Sequence, residues 1–174
     1  MRAAVLSVWA VIAAIFFVQT ANGLQTSLLS VRAGMESFSF QTIGIVMASY
    51  YVGYSLAPLA SRAVIGRAGH VNTMWIGTVG AALAIAAHAF LVTPLAWSLL
   101  RFVSGFVLSC AYVAAESWIH DRVSNEKRGR VFSVYMVVQM IALTLAQLLL
   151  GLGDPRSPAP FLLAAGLFVL GAIP

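Results

Sequence analysis

Five residues, Arg101, Gly105, Ser109, Tyr112 and Glu116, recur at intervals of four, four, three and four. At 100° per residue they share one helix face, and the flanking Phe102, Val103, Phe106, Val107, Val113 and Ile119 are apolar. A guanidinium at mid-helix costs about 2.5–3.5 kcal/mol to place in a bilayer, so it usually faces a bundle interior or a water-filled cavity. The chemistry on offer is a transport pathway or coupling to proton movement. The alternative is an arginine that snorkels to the outer headgroups, since Arg101 lies only about seven residues, or about 10 Å, from the outer turn at Val92-Thr93-Pro94. Glu116 is about 22 Å from Arg101 at 1.5 Å per residue, too far to pair with it. Its candidate partners are Arg67 and the Arg128–Arg130 cluster, which makes it either a gate ion pair or a carboxylate solvated beside Trp118.

A second polar stripe, Gln19, Asn22, Gln25 and Thr26, has the same helical spacing, and Tyr135, Gln139 and Gln147 repeat the theme later in the chain. Amides inside membrane helices either join helices through hydrogen bonds worth about 0.6 kcal/mol each or line a cavity. Taken as a stripe, they favour a cavity. His88 is read as hydrogen-bonded structure ahead of a proton relay. No catalytic constellation is present. Three histidines and one cysteine, Cys110, show no metal-ligand spacing, and P-loop, GxGxxG and GxSG motifs are absent. No enzyme, metal site or cofactor is expected.

The elements that position these residues follow from composition. Of 174 residues, 61% are hydrophobic and 9% charged, against about 25% charged in a soluble domain. Too few charges remain to cover a water-exposed surface, and the net charge of +5 is not gathered on a basic face, which argues against nucleic acid. The expected partner is a lipid bilayer. A crossing helix needs about 20 apolar residues, and uncharged runs place spans at about 4–30, 38–61, 71–93, 95–119, 130–152 and 160–174, a single six-helix bundle over residues 1–174. Val92-Thr93-Pro94 splits one long run into two antiparallel helices. Ala21-Asn22-Gly23 has the outline of a signal cleavage site, but the apolar run continues to Val31, too far for one.

Lys and Arg counts set the orientation. With the N-terminus inside, the cytoplasmic segments hold Arg2, Arg62, Arg67, Arg122, Lys127, Arg128 and Arg130, against Arg32 and Arg156 outside. Trp9, Trp75, Trp97 and Trp118 all fall near span ends, where interfacial rings are expected. Gly44, Ser49, Gly53, Gly77, Gly80, Ala81 and Ala84 permit close helix packing.

Two segments then resemble the N-terminal half of a major facilitator superfamily transporter. Gly66-Arg67-Ala68-Gly69-His70 is similar to the D-R-x-G-R/K loop after span two, with Arg67 and Gly69 matching and Gly66 in the acidic position. Arg101 and Gly105 resemble the R-x-x-x-G element of span four, followed by Glu116 in A-E-S-W and by Arg128-Gly129 before span five. The ordered set is most like the bacterial YcaD-like branch. The resemblance implies twelve helices in two halves with substrate between them and alternating access by rocking. The apolar sixth span is still running at Pro174, so a fragment is expected, lacking a C-terminal six-helix half. A half-sized protein pairing with a second copy is the other option.

The expected function is secondary active transport of a small molecule across the bacterial inner membrane, with a coupling proton as a possible partner. Gln19, Asn22, Gln25, Arg101, Ser109, Tyr112 and Gln139 are the cavity candidates. Arg67, Gly69, Glu116, Arg128 and Gly129 are the cytoplasmic gate candidates. The competing expectation is a non-transporting six-helix scaffold or assembly partner, in which the same amides serve only as interhelical joints. A charge-selective channel is the third, weakened by the lack of any repeated charged ring.

Overall fold

A computed structural model describes residues 2–173, with side chains described from residue 7 onward, so Arg2, counted above among the cytoplasmic charges, falls outside the described side chains. Among the described residues there are six helices and no strand: α1 (Arg2–Met35), α2 (Phe40–Ala68), α3 (His70–His88), α4 (Pro94–Arg122), α5 (Asn125–Leu150) and α6 (Ala159–Leu170). Five are long and apolar enough to cross a membrane, and α6 is a shorter apolar helix. An all-helical bundle is what lipid demands, because a helix satisfies its own backbone donors and acceptors without water. The fold is an all-α bundle, in keeping with the half-transporter architecture that the sequence resemblance implies.

The connections follow from local chemistry. Thr93 caps α4 by accepting from the Ala96 backbone N–H at 3.3 Å, and Pro94 occupies the first turn, where a missing N–H costs nothing. Ser39 caps α2 by accepting from Thr42 N–H at 3.2 Å. A single residue, Gly69, separates α2 from α3. Its φ of 80° lies in the region that a Cβ disfavours, and Thr73 Oγ1 donates to its carbonyl at 2.7 Å. The charges at Arg62 and Arg67 ride on helix, since α2 continues to Ala68.

Packing falls into two groups. Helices α2 and α3 pack on α4, α1 packs on α5 and α6, and α3 meets α6. In membranes close packing relies on small residues at the contact, and α2 and α4 meet through reciprocal glycines. A Cβ on Gly53 would collide with the backbone carbonyl of Phe102, and one on Gly105 with the carbonyl of Tyr50. At the α3–α4 crossing a Cβ on Gly77 would stand 2.7 Å from Ala111 Cβ. Gly80 has ordinary contact with Val107, and Gly44 has open space around it.

The tryptophans depart from the interfacial expectation. Trp9 and Trp75 are exposed, but Trp97 and Trp118 are buried. Trp97 packs edge-on against Phe38, with ring centroids 5.4 Å apart, and lies 5.7 Å from His88. Trp118 carries the Arg122 guanidinium 4.0 Å from its ring centroid. Depth along the helix axis was readable in both cases, but the direction of the side chain depends on which neighbour is there to receive it.

Replacing Gly53 or Gly105 with Ala is expected to destabilise the detergent-solubilised chain by about 1–3 kcal/mol through overpacking, while Gly44→Ala stays within about 0.5 kcal/mol. Thermal unfolding of the three variants checks this. Equal melting temperatures would contradict the crossing.

Candidate functional site

The polar stripes converge between the two helix groups. A cavity of about 390 Å³ lies there, with Gln19, Asn22, Gly23, Thr26 and Ser27 of α1 on one wall and Tyr135, Gln139, Leu143 and Gln147 of α5 beside them. The facing wall is Tyr50, Tyr51 and Tyr54 of α2 with Tyr112 and Glu116 of α4. Hydrogen bonds bridge the walls. Tyr112 OH donates to Gln19 Oε1 at 2.6 Å and Tyr135 OH donates to Glu116 Oε1 at 3.0 Å, while Ser27 Oγ, donating to Gln147 Oε1 at 3.0 Å, joins α1 to α5 within one wall. Asn22 Oδ1 is buried and has no hydrogen-bond partner among the described residues.

Of the seven cavity candidates, Gln19, Asn22, Tyr112 and Gln139 lie on this lining, and Gln25, Arg101 and Ser109 do not. Gln25 is fully buried and its Nε2 donates to Ser104 Oγ at 3.4 Å, a joint between α1 and α4. Ser109 is also buried. Arg101 neither lines the cavity nor reaches outward: it is 1% exposed. Its guanidinium carbon stands 4.4 Å from the Tyr50 ring centroid, an arrangement in which the ring's negative face attracts the cation. Arg101 therefore sits behind the tyrosine wall. His88 is fully buried, with Nδ1 2.6 Å from the Ala84 carbonyl.

The gate candidates gather only in part. Glu116 lines the central cavity and also a second one of about 620 Å³, which it shares with Ser117, His120, Asp121 and Arg128. Its hydrogen-bond partner is Tyr135, and neither Arg67 nor Arg128 forms a salt bridge with it. Arg128 Nη2 donates instead to the His120 carbonyl at 3.4 Å. Arg67 is exposed on the last turn of α2, and Gly129 is exposed in the first turns of α5. The α2–α3 junction reaches α4 through His70, whose Nε2 lies 3.3 Å from Ser117 Oγ and 4.0 Å from Asp121 Oδ2.

Sequence reasoning passed over the three tyrosines of α2. The signal was present as Tyr50-Tyr51 followed by Tyr54, a spacing of four that puts Tyr50 and Tyr54 on one face. Their rings stack with centroids 5.9 Å apart. They read as ordinary membrane residues until Arg101 and the cavity supply a context. Among the described residues no group of His, Cys, Asp or Glu is arranged to hold a metal ion.

In a Cys110→Ala background, cysteine at position 22 is expected to react with an aqueous maleimide. Cysteine at 25 or 109 should react at least about tenfold more slowly, because labelling there needs a local opening. Rates followed by mass spectrometry check this. Equal labelling at all three positions would contradict the wall described above.

Residues 4–174 match the family model of the Major Facilitator Superfamily. Curated relatives include the uncharacterised MFS-type transporter YcaD of Escherichia coli O45:K1 (strain S88) and that of Escherichia coli O81 (strain ED1a). Each is 25% identical over 148 residues, covering 85% of this chain and 39% of the relative. The chain thus spans about two-fifths of the length of these relatives. A helical membrane bundle with a polar central hollow and a match along nearly its whole length make the assignment plain: the chain belongs to the Major Facilitator Superfamily, whose members are transporters and not enzymes.

Proposed function

We propose that this chain forms one half of a secondary active transporter that moves a small molecule by alternating access. One observation carries the reading: the cavity between the two helix groups gathers the amides of Gln19, Asn22, Gln139 and Gln147. Burying amides in lipid without partners is costly, and a solute passing through water is what such a wall suits. The second half is either a C-terminal six-helix bundle or a second copy, and the hollow is the surface that it would cover. The membrane is a bacterial inner membrane, with the N-terminus cytoplasmic as the Lys and Arg bias indicates.

Within this reading Glu116 works at the boundary of two hollows. In the conformation described, Tyr135 holds its carboxylate, and Arg128 shares the second hollow with it. A rearrangement within this half, coupled to rocking against the other, exchanges the Tyr135 bond for a basic partner from Arg67 or Arg128 and so closes the cytoplasmic side by stabilising one state over the other. Gly69 between α2 and α3 and Gly129 in the first turns of α5 leave those backbones free of side-chain bulk. Glu116 is also the acidic side chain on this lining at which a coupling proton would be carried. Arg101 acts through Tyr50, fixing the wall without touching solute.

The scaffold reading draws on Gln25, whose amide joins α1 to Ser104 of α4 and faces no hollow. The two readings separate in the assembled protein, with cysteine at position 22 in sealed vesicles of either orientation. A membrane-impermeant maleimide is expected to reach it from both sides, with the two rates shifting in opposite directions when a transported solute is present. Access from neither side would leave the scaffold standing.

A further inference from the structure

Resting on the transport reading, we infer that the central cavity selects a small organic cation, an ammonium or quaternary ammonium group seated between Glu116 and the α2 tyrosines. The charge inventory of the lining comes first. It contains one carboxylate, Glu116, and no Arg, Lys or His. An anion in this cavity would meet that carboxylate, because the basic neighbours of Glu116, His120 and Arg128, line the second hollow instead. A neutral polyol would leave the carboxylate's charge without a countercharge on this lining.

The unused hydrogen-bonding capacity has the same sense. Asn22 Oδ1 is a buried acceptor with no hydrogen bond among the described residues, although the side chain lies against the Tyr50 hydroxyl. Glu116 accepts from Tyr135 through Oε1, and the exposed carboxylate keeps its other oxygen available. Both groups await a donor or a positive charge.

The third element is aromatic. Tyr51 and Tyr54 keep 62% and 38% of their surface exposed. Tyr50 meets Tyr51 edge-on at 5.4 Å and stacks with Tyr54 at 5.9 Å, and Tyr54 lies 6.5 Å from Tyr112. A phenol face attracts cations within about 6 Å of its centroid, most strongly when water is excluded. Arg101 already uses the Tyr50 ring in this way. That guanidinium does not neutralise Glu116 locally, because about 22 Å of α4 separates the two positions.

The test uses choline and its uncharged isostere 3,3-dimethylbutan-1-ol, with binding to the chain in lipid nanodiscs read by saturation-transfer NMR. Choline is expected to bind at least about tenfold more tightly than the alcohol, a difference of about 1.4 kcal/mol. Glu116→Gln should remove that preference, and Glu116→Asp, which keeps the charge, should retain most of it. Tyr54→Leu should weaken choline and leave the alcohol unchanged. Equal binding of the two probes, or choline binding indifferent to Glu116→Gln, overturns the inference. Failure of choline to bind a chain whose position 22 still takes the aqueous maleimide overturns this inference alone. Failure of both also removes the cavity.

Discussion

The arrangement of this bundle depends on the close crossing of α2 and α4, where Gly53 and Gly105 each face the other helix's backbone with no room for a Cβ. Nothing in lipid drives helices together by hydrophobicity, so contact area and backbone approach carry the association. The crossing sets the register of Tyr50 against Arg101, and with it the position of the whole tyrosine wall. Gly105 lies one turn from Arg101 on α4, and Gly53 lies one turn from Tyr50 on α2. A shift of one residue would turn the ring away from the guanidinium. Arg101 would then be a buried cation without the electron-rich face that offsets its desolvation.

The second organising feature is the division of labour among the polar residues. Some amides and hydroxyls are joints: Gln25 with Ser104 binds α1 to α4 in the dry part of the bundle. Others are joints and wall at once. Tyr112 with Gln19 and Tyr135 with Glu116 tie helices together while facing the hollow. The glue-or-cavity alternative posed by the sequence was therefore framed too sharply, because one hydrogen bond can serve both ends where two helices diverge around water.

Much of the fold was legible before the structure. Charge scarcity and run length are direct consequences of lipid as solvent, and Thr93-Pro94 and Gly69 carry backbone preferences in their covalent structure. These signals are local. What could not be read was azimuth, the direction in which a residue points around its helix relative to neighbours distant in sequence. Arg101 and Glu116 share a stripe with Tyr112, yet Arg101 ends behind Tyr50 while Glu116 reaches the hollow. The face of α4 is covered along part of its length by α2 and uncovered further on. Trp97 and Trp118 lie near the two ends of α4 and turn inward, Trp97 onto Phe38 and His88. The α2 tyrosines went unremarked because an aromatic pair in a membrane helix carries no message until a cation is found against it.

The seam between the α2–α3–α4 group and the α1–α5–α6 group is fastened along the hollow by the Tyr112–Gln19 and Tyr135–Glu116 hydrogen bonds and elsewhere by the packing of α3 on α6, whereas α2 and α4 meet by close backbone approach. Hydrogen bonds of this kind exchange readily with water, and close-packed carbon does not. Along the hollow, therefore, the coupling between the two groups depends on bonds that water can replace. A molecule that enters and dries the hollow would not merely occupy space, since it would also alter the mechanical coupling of the helices around it.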